Sequence, residues 1–299
     1  MFNNVLPSLQ CGVFSPFHPW RYFSRSRYNA SSLPYALAVA LAGGGWTLHP
    51  VLEVLGRKPF AVVGHRGARG LAPENTLAAL RKAIDAGADI AEFDLQVTSD
   101  GAVVASHDPV LRSADGRTVD VRNASLAEVK SVDLGGGETP PTLEEIIEEA
   151  RGRILLFLEV KEPGDAGRVI EVLKRENALD MVALISFHDE ALYTARWLEP
   201  GLPTGIVYFR PPGRILDCRK LGCRIVLPRY PLATAKAVSL AHRLGLRVVA
   251  WTVNEERWVL ELAKRGVDGI ATDYPDMVVA ARRRLEEGSA EGVTATSPP

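Results

Sequence analysis

The chain has 299 residues, of which 46% are hydrophobic, and its formal net charge at pH 7 is -1. This length and hydrophobic content allow one large α/β domain with a sizeable core as well as two small domains. The near-zero net charge is not the strong basic excess typical of proteins that bind nucleic acid, so no nucleic-acid partner is predicted. The three cysteines include no Cys-x-x-Cys pair, which argues against a disulfide framework and against structural zinc.

Residues 1–58 differ in composition from the rest of the chain and are predicted to be an N-terminal extension. They contain scattered aromatic residues, proline and serine, one acidic residue, Glu53, and one apolar run over residues 33–46. That run is too short and too rich in glycine to cross a bilayer, which takes about 20 apolar residues, so no stable membrane insertion is predicted. Three interpretations of the extension stay open: a disordered arm, a signal-like segment, or a start codon assigned too far upstream.

The predicted cellular location depends on the same N-terminal segment. The cytoplasm is the predicted location, and export is the alternative if the segment from Arg21 to Ala42 is a signal peptide. In that segment three arginines precede the apolar run, and the sequence Ala-Leu-Ala at residues 40–42 resembles a cleavage site. At the other end of the chain, residues 288–299 are small and polar and are predicted to form a disordered tail.

Between the two ends, short β-branched runs alternate with amphipathic stretches, which predicts βαβ units and a parallel sheet. Strands are predicted at residues 60–64, 89–97, 153–160, 181–187, 204–209, 224–227, 247–253 and 269–273. Helices are predicted at residues 76–86, 143–150, 190–197, 214–221, 233–244, 255–264 and 276–286.

An insertion follows the second predicted strand. The run 102–107 comes after a three-residue turn, so it should pair antiparallel with that strand as a hairpin, and a long irregular stretch with one short helix, 126–132, continues to residue 141. Eight parallel strands remain, which predicts a closed (β/α)8 TIM barrel over residues 59–287, with a hairpin and loop insertion after the second strand. An open doubly wound sheet is less favoured, because no glycine-rich dinucleotide fingerprint follows the first strand.

Polar residues lie at the carboxyl ends of the first predicted strands, where barrel enzymes place their chemistry. They are His65 and Arg66 after strand one, Glu92 and Asp94 in strand two, His107 after the hairpin arm, and Glu159 and Lys161 at strand three. Residues spaced by two point to the same side of a strand, so the three carboxylates should meet in one barrel mouth.

Three carboxylates in one mouth would repel each other, and a cation would relieve that repulsion. The sequence therefore predicts one divalent cation with a preference for oxygen ligands, Mg2+ or Ca2+. Two alternatives stay open. Glu92 and Asp94 could be strand-end carboxylates paired with arginines, and Lys161 could serve only as the partner of Glu159 in an apolar strand.

Two histidines beside a metal and an arginine favour phosphoryl transfer from a diester. Arg66 can grip two oxygens of a phosphoryl group, and histidine exchanges protons near neutral pH. One histidine would take a proton from the attacking oxygen, and the other would give one to the leaving alcohol.

Residues 60–277 resemble the glycerophosphodiester phosphodiesterase family. The motifs that carry the resemblance occur in order: GHRGARGLAPENT, EFDLQVTSDGAVVASHD, PTLEEI, LEVK, ISF, WTVN and DGIATDYPD. The resemblance implies a TIM barrel in which the hairpin and loop are the characteristic insertion of the family. It also implies hydrolysis of small-molecule glycerophosphodiesters to sn-glycerol 3-phosphate and an alcohol, through a cyclic phosphate.

Position by position, the resemblance also implies roles for individual residues. It implies acid and base roles for His65 and His107, metal ligation by Glu92, Asp94 and Glu159, and phosphate contacts by Arg66 and Lys161. It further implies support of the metal site by Glu74 and Asn75, and substrate contacts by Phe187 and Trp251. Core packing remains the alternative for both aromatic residues. Asp273, at the end of the last strand, is predicted to hold the barrel closed rather than to bind metal.

Two other functions remain as alternatives, and the oligomeric state is not predicted. A lysophospholipase D-type phosphodiesterase acting on lysophospholipids would need an exposed apolar rim on residues 108–141, a stretch that is instead rich in Asp, Arg, Ser and Gly. A barrel without activity that binds a phosphorylated ligand is a candidate from a different class.

Overall fold

The computed structural model describes residues 48–113 and 115–294, and most of the predicted extension and the last five residues lie outside it. The strands are, in chain order, β1 (Ala61–Gly64), β2 (Ile90–Val97), β3 (Val103–Ala105), β4 (Val110–Arg112), β5 (Thr118–Asp120), β6 (Leu155–Val160), β7 (Val182–Ser186), β8 (Thr204–Tyr208), β9 (Ile225–Pro228), β10 (Arg247–Ala250) and β11 (Gly269–Thr272).

Eight of these strands are parallel and close into a barrel. Their spatial order is β1, β11, β10, β9, β8, β7, β6 and β2, and β2 pairs with β1 to complete the ring. Gly64 in β1 has Thr272 of β11 as its register partner on one side and Ala91 of β2 on the other. The prediction of a (β/α)8 barrel is thereby confirmed.

Of the ten described helices, the first closes the amino-terminal end of the barrel, the third lies in the insertion after β2, and the other eight form the outer layer. The ten are α1 (Pro50–Val54), α2 (Leu77–Asp85), α3 (Leu126–Lys130), α4 (Leu143–Ala150), α5 (Ala166–Arg175), α6 (Asp189–Leu198), α7 (Ile215–Leu221), α8 (Ala235–Arg243), α9 (Glu256–Arg265) and α10 (Pro275–Thr294). Among the described residues, no helix is both long enough and apolar enough to pass through a bilayer. α10 continues beyond residue 288, where the tail is predicted to begin.

Sequence reasoning missed one helix of the outer layer, α5. Its buried residues Ala166, Val169, Ile170 and Leu173 follow the spacing of an amphipathic helix, three, four and seven residues from the first. The signal was therefore present, and α5 supplies the crossover that β6 and β7 need to run parallel.

The interior of the barrel is filled by inward side chains and closed at its amino-terminal end by α1. Val51 and Leu55 are fully buried and join the same apolar cluster as Val63, Phe157 and Val249. α1 lies within the stretch assigned from sequence to the extension. It packs there because the bottom of the barrel would otherwise expose apolar side chains to water.

The insertion after β2 has a small core of its own. β3 pairs antiparallel with β2, with Leu95 opposite Ala105, as the hairpin prediction requires. β4 and β5 form a second hairpin, and together with α3 they enclose a cluster that includes Leu111, Val121 and Val129. This cluster fixes the segment that carries His107 beside the barrel mouth.

Candidate active site

Three buried carboxylates lie together at the carboxyl ends of β2 and β6. One oxygen from each of Glu92, Asp94 and Glu159 lies within 4.8 Å of the others, and the three residues are 5%, 2% and 8% exposed. Asp94 and Glu159 are register partners in the sheet, which holds them side by side. An all-oxygen set of this kind fits a divalent cation that prefers oxygen ligands.

The ionisation of these carboxylates reflects their burial. Burial and the neighbouring charges of Asp94 and Glu159 raise the pKa of Glu92 well above its ordinary value. Burial, together with the charge of Asp94, raises the pKa of Glu159 to about 7. Burial also acts to raise the pKa of Asp94, but the charges of Lys161 and Arg66 outweigh it and hold that pKa below its ordinary value.

The loop after β1 wraps Arg66 around this acidic cluster. The Arg66 backbone N–H donates to Glu92 Oε2 over 2.9 Å, and its guanidinium donates to Glu74 Oε1 over 2.7 Å. Arg66 adopts a φ of 51°, which is uncommon for a residue with a side chain. Residues in such conformations cluster at functional sites. The turn also requires Gly64, because a Cβ at that position would lie 2.1 Å from the carbonyl oxygen of Gly67.

Glu74 and Asn75, predicted to support the site, contact it in different ways. Asn75 holds Asp94 at both ends: its Nδ2 donates to Asp94 Oδ2 over 3.0 Å, and its Oδ1 accepts from the Asp94 backbone N–H over 3.1 Å. Asn75 also has a positive φ, 56°. Among the described residues, Glu74 pairs with Arg66 and Arg69 and contacts none of the three carboxylates directly.

Lys161 bridges two of the carboxylates. Its Nζ lies 2.7 Å from Glu159 Oε1 and 3.3 Å from Asp94 Oδ1. Burial acts to lower the pKa of Lys161, but these two charges raise it above its ordinary value, so the ammonium stays protonated. The geometry thus agrees with the interpretation of Lys161 as the partner of Glu159, and it also leaves Lys161 on the wall of the cavity described next.

A cavity of about 110 Å³ opens above the acidic cluster and brings both predicted histidines to one place. His65 and His107 line it together with Arg66 and Lys161. Nδ1 of His65 lies 2.7 Å from Asp273 Oδ1, and Nδ1 of His107 lies 2.8 Å from Asp108 Oδ1. Both imidazoles are therefore oriented by a carboxylate.

Sequence reasoning missed the contact between Asp273 and His65, since Asp273 was expected only to close the barrel. A signal for it existed in the predicted fold. When β11 closes against β1, the residues that follow the paired positions Thr272 and Gly64 must lie next to each other. Those residues are Asp273 and His65.

The remaining wall of the cavity is apolar and aromatic. Phe187 packs edge-on against Trp251 with ring centroids 5.8 Å apart, and against Phe209 at 5.9 Å. Phe187 and Trp251 both line the cavity and are partly buried. The Trp251 indole N–H donates to the Leu227 carbonyl over 2.7 Å, so Trp251 presents only its apolar ring to a ligand.

Comparisons with known proteins agree in sequence and in structure. Residues 65–277 match the glycerophosphoryl diester phosphodiesterase family. A glycerophosphodiester phosphodiesterase of Caldanaerobacter subterraneus subsp. tengcongensis is 30% identical over 251 residues, which cover 75% of this chain and 98% of that protein. Another, of Bacillus altitudinis, is 29% identical over 244 residues, covering 75% and 99%. The structure of an Oleispira antarctica phosphodiesterase in complex with the product sn-glycerol-3-phosphate has a TM-score of 0.69 and 32% sequence identity, covering 74% of this chain and 96% of that one.

Proposed function

The chain belongs to the glycerophosphoryl diester phosphodiesterase family, and on that basis we propose that it hydrolyses glycerophosphodiesters to sn-glycerol 3-phosphate and an alcohol. One observation of the structure carries the proposal. A single cavity is lined by two histidines, by Arg66 and Lys161, and by the three buried carboxylates. This combination suits a phosphodiester, whose charge the cations hold while the histidines move protons.

A divalent cation, Mg2+ or Ca2+, would be held by Glu92, Asp94 and Glu159. When bound there, it would stabilise negative charge on the phosphoryl oxygens and favour ionisation of the attacking hydroxyl. Asn75 and Lys161 keep the carboxylates of Asp94 and Glu159 in place for this purpose. The all-oxygen ligand set supports a cation of this class, and it suits Mg2+ and Ca2+ alike.

Arg66 is the residue we assign to bind the phosphate. Its Nε lies 3.2 Å from Asp94 Oδ2, yet it is buried and makes no hydrogen bond to any residue that the structure describes. A buried donor without a partner is costly, and a phosphoryl oxygen in the cavity would satisfy it.

The two histidines transfer protons to and from the substrate in two steps. In the first, one histidine takes the proton from a glycerol hydroxyl as its oxygen bonds to phosphorus, and the other protonates the leaving alcohol as its bond to phosphorus breaks. The product is a cyclic phosphate. In the second step, the protonated and neutral histidines reverse roles while water opens the ring, and both return to their starting states.

The stretch 108–141, where a lysophospholipase D-type enzyme would need an exposed apolar rim, favours a small, soluble diester over a lysophospholipid. Among the described residues of the stretch 108–141, Val110 is the exposed large hydrophobic side chain, and the others of that class are at least partly buried. One isolated apolar side chain does not make a surface for acyl chains. The apolar ring faces of Phe187 and Trp251 suit the carbon skeleton of glycerol or of the leaving alcohol.

The test is release of sn-glycerol 3-phosphate from glycerophosphocholine, with and without EDTA, by the wild type and by His65→Ala and His107→Ala. Removing a general acid or base costs about 10²- to 10⁴-fold in rate, so each variant should lose at least about 100-fold in kcat while keeping its thermal stability. EDTA should abolish turnover, and added Mg2+ or Ca2+ should restore it.

Each alternative has its own outcome in the same assay. Metal-independent turnover, or full activity in either histidine variant, would contradict the mechanism. Faster turnover of a lysophospholipid than of glycerophosphocholine would favour the lysophospholipase D-type function. A wild type that binds sn-glycerol 3-phosphate but turns over neither substrate would favour a binding barrel without activity.

A further inference from the structure

We propose that Asp273 and Asn254 are positioning residues that keep the proton of neutral His65 on Nδ1, so that His65 is the base of the first step. The assignment of the step rests on the proposed function, whereas the position of the proton rests on geometry alone. His107 then supplies the proton to the leaving alcohol. The two histidines, which the cavity lining leaves equivalent, are thus distinguished by the carboxylates that contact them.

The contact between Asp273 and His65 determines which imidazole nitrogen carries the proton. Oδ1 of Asp273 lies 2.7 Å from His65 Nδ1. An ionised carboxylate can only accept a hydrogen bond, so Nδ1 must donate and the lone pair of the neutral ring is on Nε2. Only a nitrogen with a free lone pair can take a proton from the attacking hydroxyl.

Asp273 is itself held in place from its other side. Asn254 Nδ2 donates to Asp273 Oδ2 over 2.6 Å. Asn254 Oδ1 accepts from the Asp273 backbone N–H over 3.0 Å and from the Thr272 hydroxyl over 3.2 Å. Because these two donors require the amide oxygen, the Asn254 amide has one orientation, in which its NH2 group faces Asp273.

Asp273 is held in its ionised form. Burial acts to raise its pKa, but the hydrogen bonds from His65 and Asn254 and the charge of Arg69 keep the pKa below its ordinary value. Arg69 Nε lies 3.7 Å from Asp273 Oδ1 and is the remaining charged group that faces this carboxylate among the described residues. The acceptor that fixes the proton on Nδ1 is therefore a carboxylate, not a carboxylic acid.

The corresponding carboxylate at His107 lacks this support. Asp108 lies 2.8 Å from His107 Nδ1, but its side chain is 73% exposed, against 13% for Asp273. Within the part of the chain that the structure describes, His107 is the partner of the Asp108 carboxylate, and no second side chain fixes it. Water can replace such an exposed acceptor at little cost.

This geometry predicts an unusual response to Asp273→Asn. The NH2 group of Asn254 still needs an acceptor, so the new carbonyl oxygen should face Asn254 and the new NH2 group should face His65. An NH2 group donates to Nδ1 and moves the imidazole proton to Nε2, which removes the base. We expect kcat to fall at least about 100-fold with KM changed less than about 3-fold, as when a histidine is held in its wrong tautomer.

A charge-conserving exchange tests the orientation directly. In the double variant Asp273→Asn/Asn254→Asp, the new carboxylate at position 254 still accepts from Thr272 and from the backbone N–H of position 273. It can also accept from the amide at position 273, whose carbonyl oxygen then faces His65 again. The double variant should be at least about 10-fold more active than Asp273→Asn, whereas a purely structural role predicts a further loss. Asp276→Asn, at an exposed acidic residue three positions after Asp273, is the matched control and should stay within about 3-fold of the wild type.

A measurement without substrate separates this inference from the proposed function. Long-range 1H–15N NMR spectra of 15N-histidine protein at alkaline pH should show His65 protonated on Nδ1 in the wild type and on Nε2 in Asp273→Asn, with His65→Gln used for assignment. A wild-type proton on Nε2, or a double variant no more active than Asp273→Asn, would overturn the inference. If the wild type hydrolyses no diester, the proposed function fails while the spectra still decide the tautomer.

Discussion

The acidic cluster illustrates, at the scale of single residues, why a functional site is costly to its own fold. Glu92 and Glu159 lie almost fully buried within an apolar barrel, and their raised pKa values show that the folded protein disfavours their charged forms. Lys161 and Arg66 compensate Asp94 but not all three carboxylates. Such a cluster does not by itself stabilise the barrel, and its proposed use is to bind a cation.

The variant Glu92→Gln separates the effect of the cluster on the stability of the metal-free protein from its role in binding a cation. In EDTA near neutral pH, its melting temperature should be at least that of the wild type and up to about 2–4 °C higher. A rise of that size is the effect of roughly 1 kcal/mol in a domain of this size. The reason is that the amide replaces a buried carboxyl group whose ionisation the fold disfavours, while keeping the shape of the side chain. The same variant should lose most of the thermal stabilisation that Mg2+ or Ca2+ gives the wild type.

The measurement for Glu92→Gln is thermal unfolding with EDTA and with added cation. Glu162→Gln is the control, because Glu162 is an exposed acidic residue next to Lys161 and outside the cluster. It should behave as the wild type in both conditions. A large loss of stability for Glu92→Gln in EDTA would mean that the Glu92 charge supports the fold.

At the scale of elements, α1 is a short helix that acts as the plug of the barrel. Its apolar side chains cover the amino-terminal end of the strands, which would otherwise be open to water. Leu55, which follows its last residue, approaches so closely that a Cβ on Gly269 of β11 would lie 3.2 Å from it. Because the contact is this close, removing α1 would expose the apolar interior of the barrel to water.

Leu55→Ala should lower the free energy of unfolding by about 2–5 kcal/mol, the usual cost of a large-to-small change in a core. Leu216→Ala is the matched control, because Leu216 lies on α7 and is 57% exposed, and it should change stability by less than about 0.5 kcal/mol. Urea denaturation measures both. A variant lacking residues 1–58 should be less stable than one lacking residues 1–46, because only the second retains α1. Equal stability of the two would remove the role assigned to α1.

For the whole molecule, the ionisation of the cluster links metal binding to pH. Burial raises the pKa of Glu159 to about 7 and that of Glu92 well above its ordinary value in the metal-free protein. A carboxyl group whose pKa is raised by folding contributes stability that is present at low pH and is lost as the pH rises through the folded pKa. A divalent cation bound by the cluster would displace these protons and so restore stability on the alkaline side.

The thermal stabilisation given by a fixed concentration of Mg2+ or Ca2+ should therefore grow from about pH 5.5 to about pH 8. Below that range protons compete with the cation for Glu92 and Glu159. Thermal unfolding with and without cation across the range measures the effect, and Glu92→Gln should show a much weaker dependence on pH. A stabilisation that is constant over the range would contradict a proton held by the metal-free cluster.

The sequence by itself determined the features that follow from local pattern. The eight parallel strands follow from apolar runs of strand length that alternate with helix-length stretches. The site residues at strand ends followed, because a barrel gathers the carboxyl ends of its strands at one mouth. His65, Glu92, Asp94, His107 and Glu159 are predicted at this mouth, and all five line the cavity.

Only the tertiary structure decided what depends on long-range closure. Asp273 meets His65 across 208 residues because the last strand closes on the first in one particular register. The packing of α1 into the barrel, and the raised pKa values of Glu92 and Glu159, likewise depend on every strand being in place at once. Periodicity within a segment records which face is buried, but it does not record which distant side chain will share that burial. That partner is set by the register of the closed barrel, and the cost of burying a charge is set by the partner.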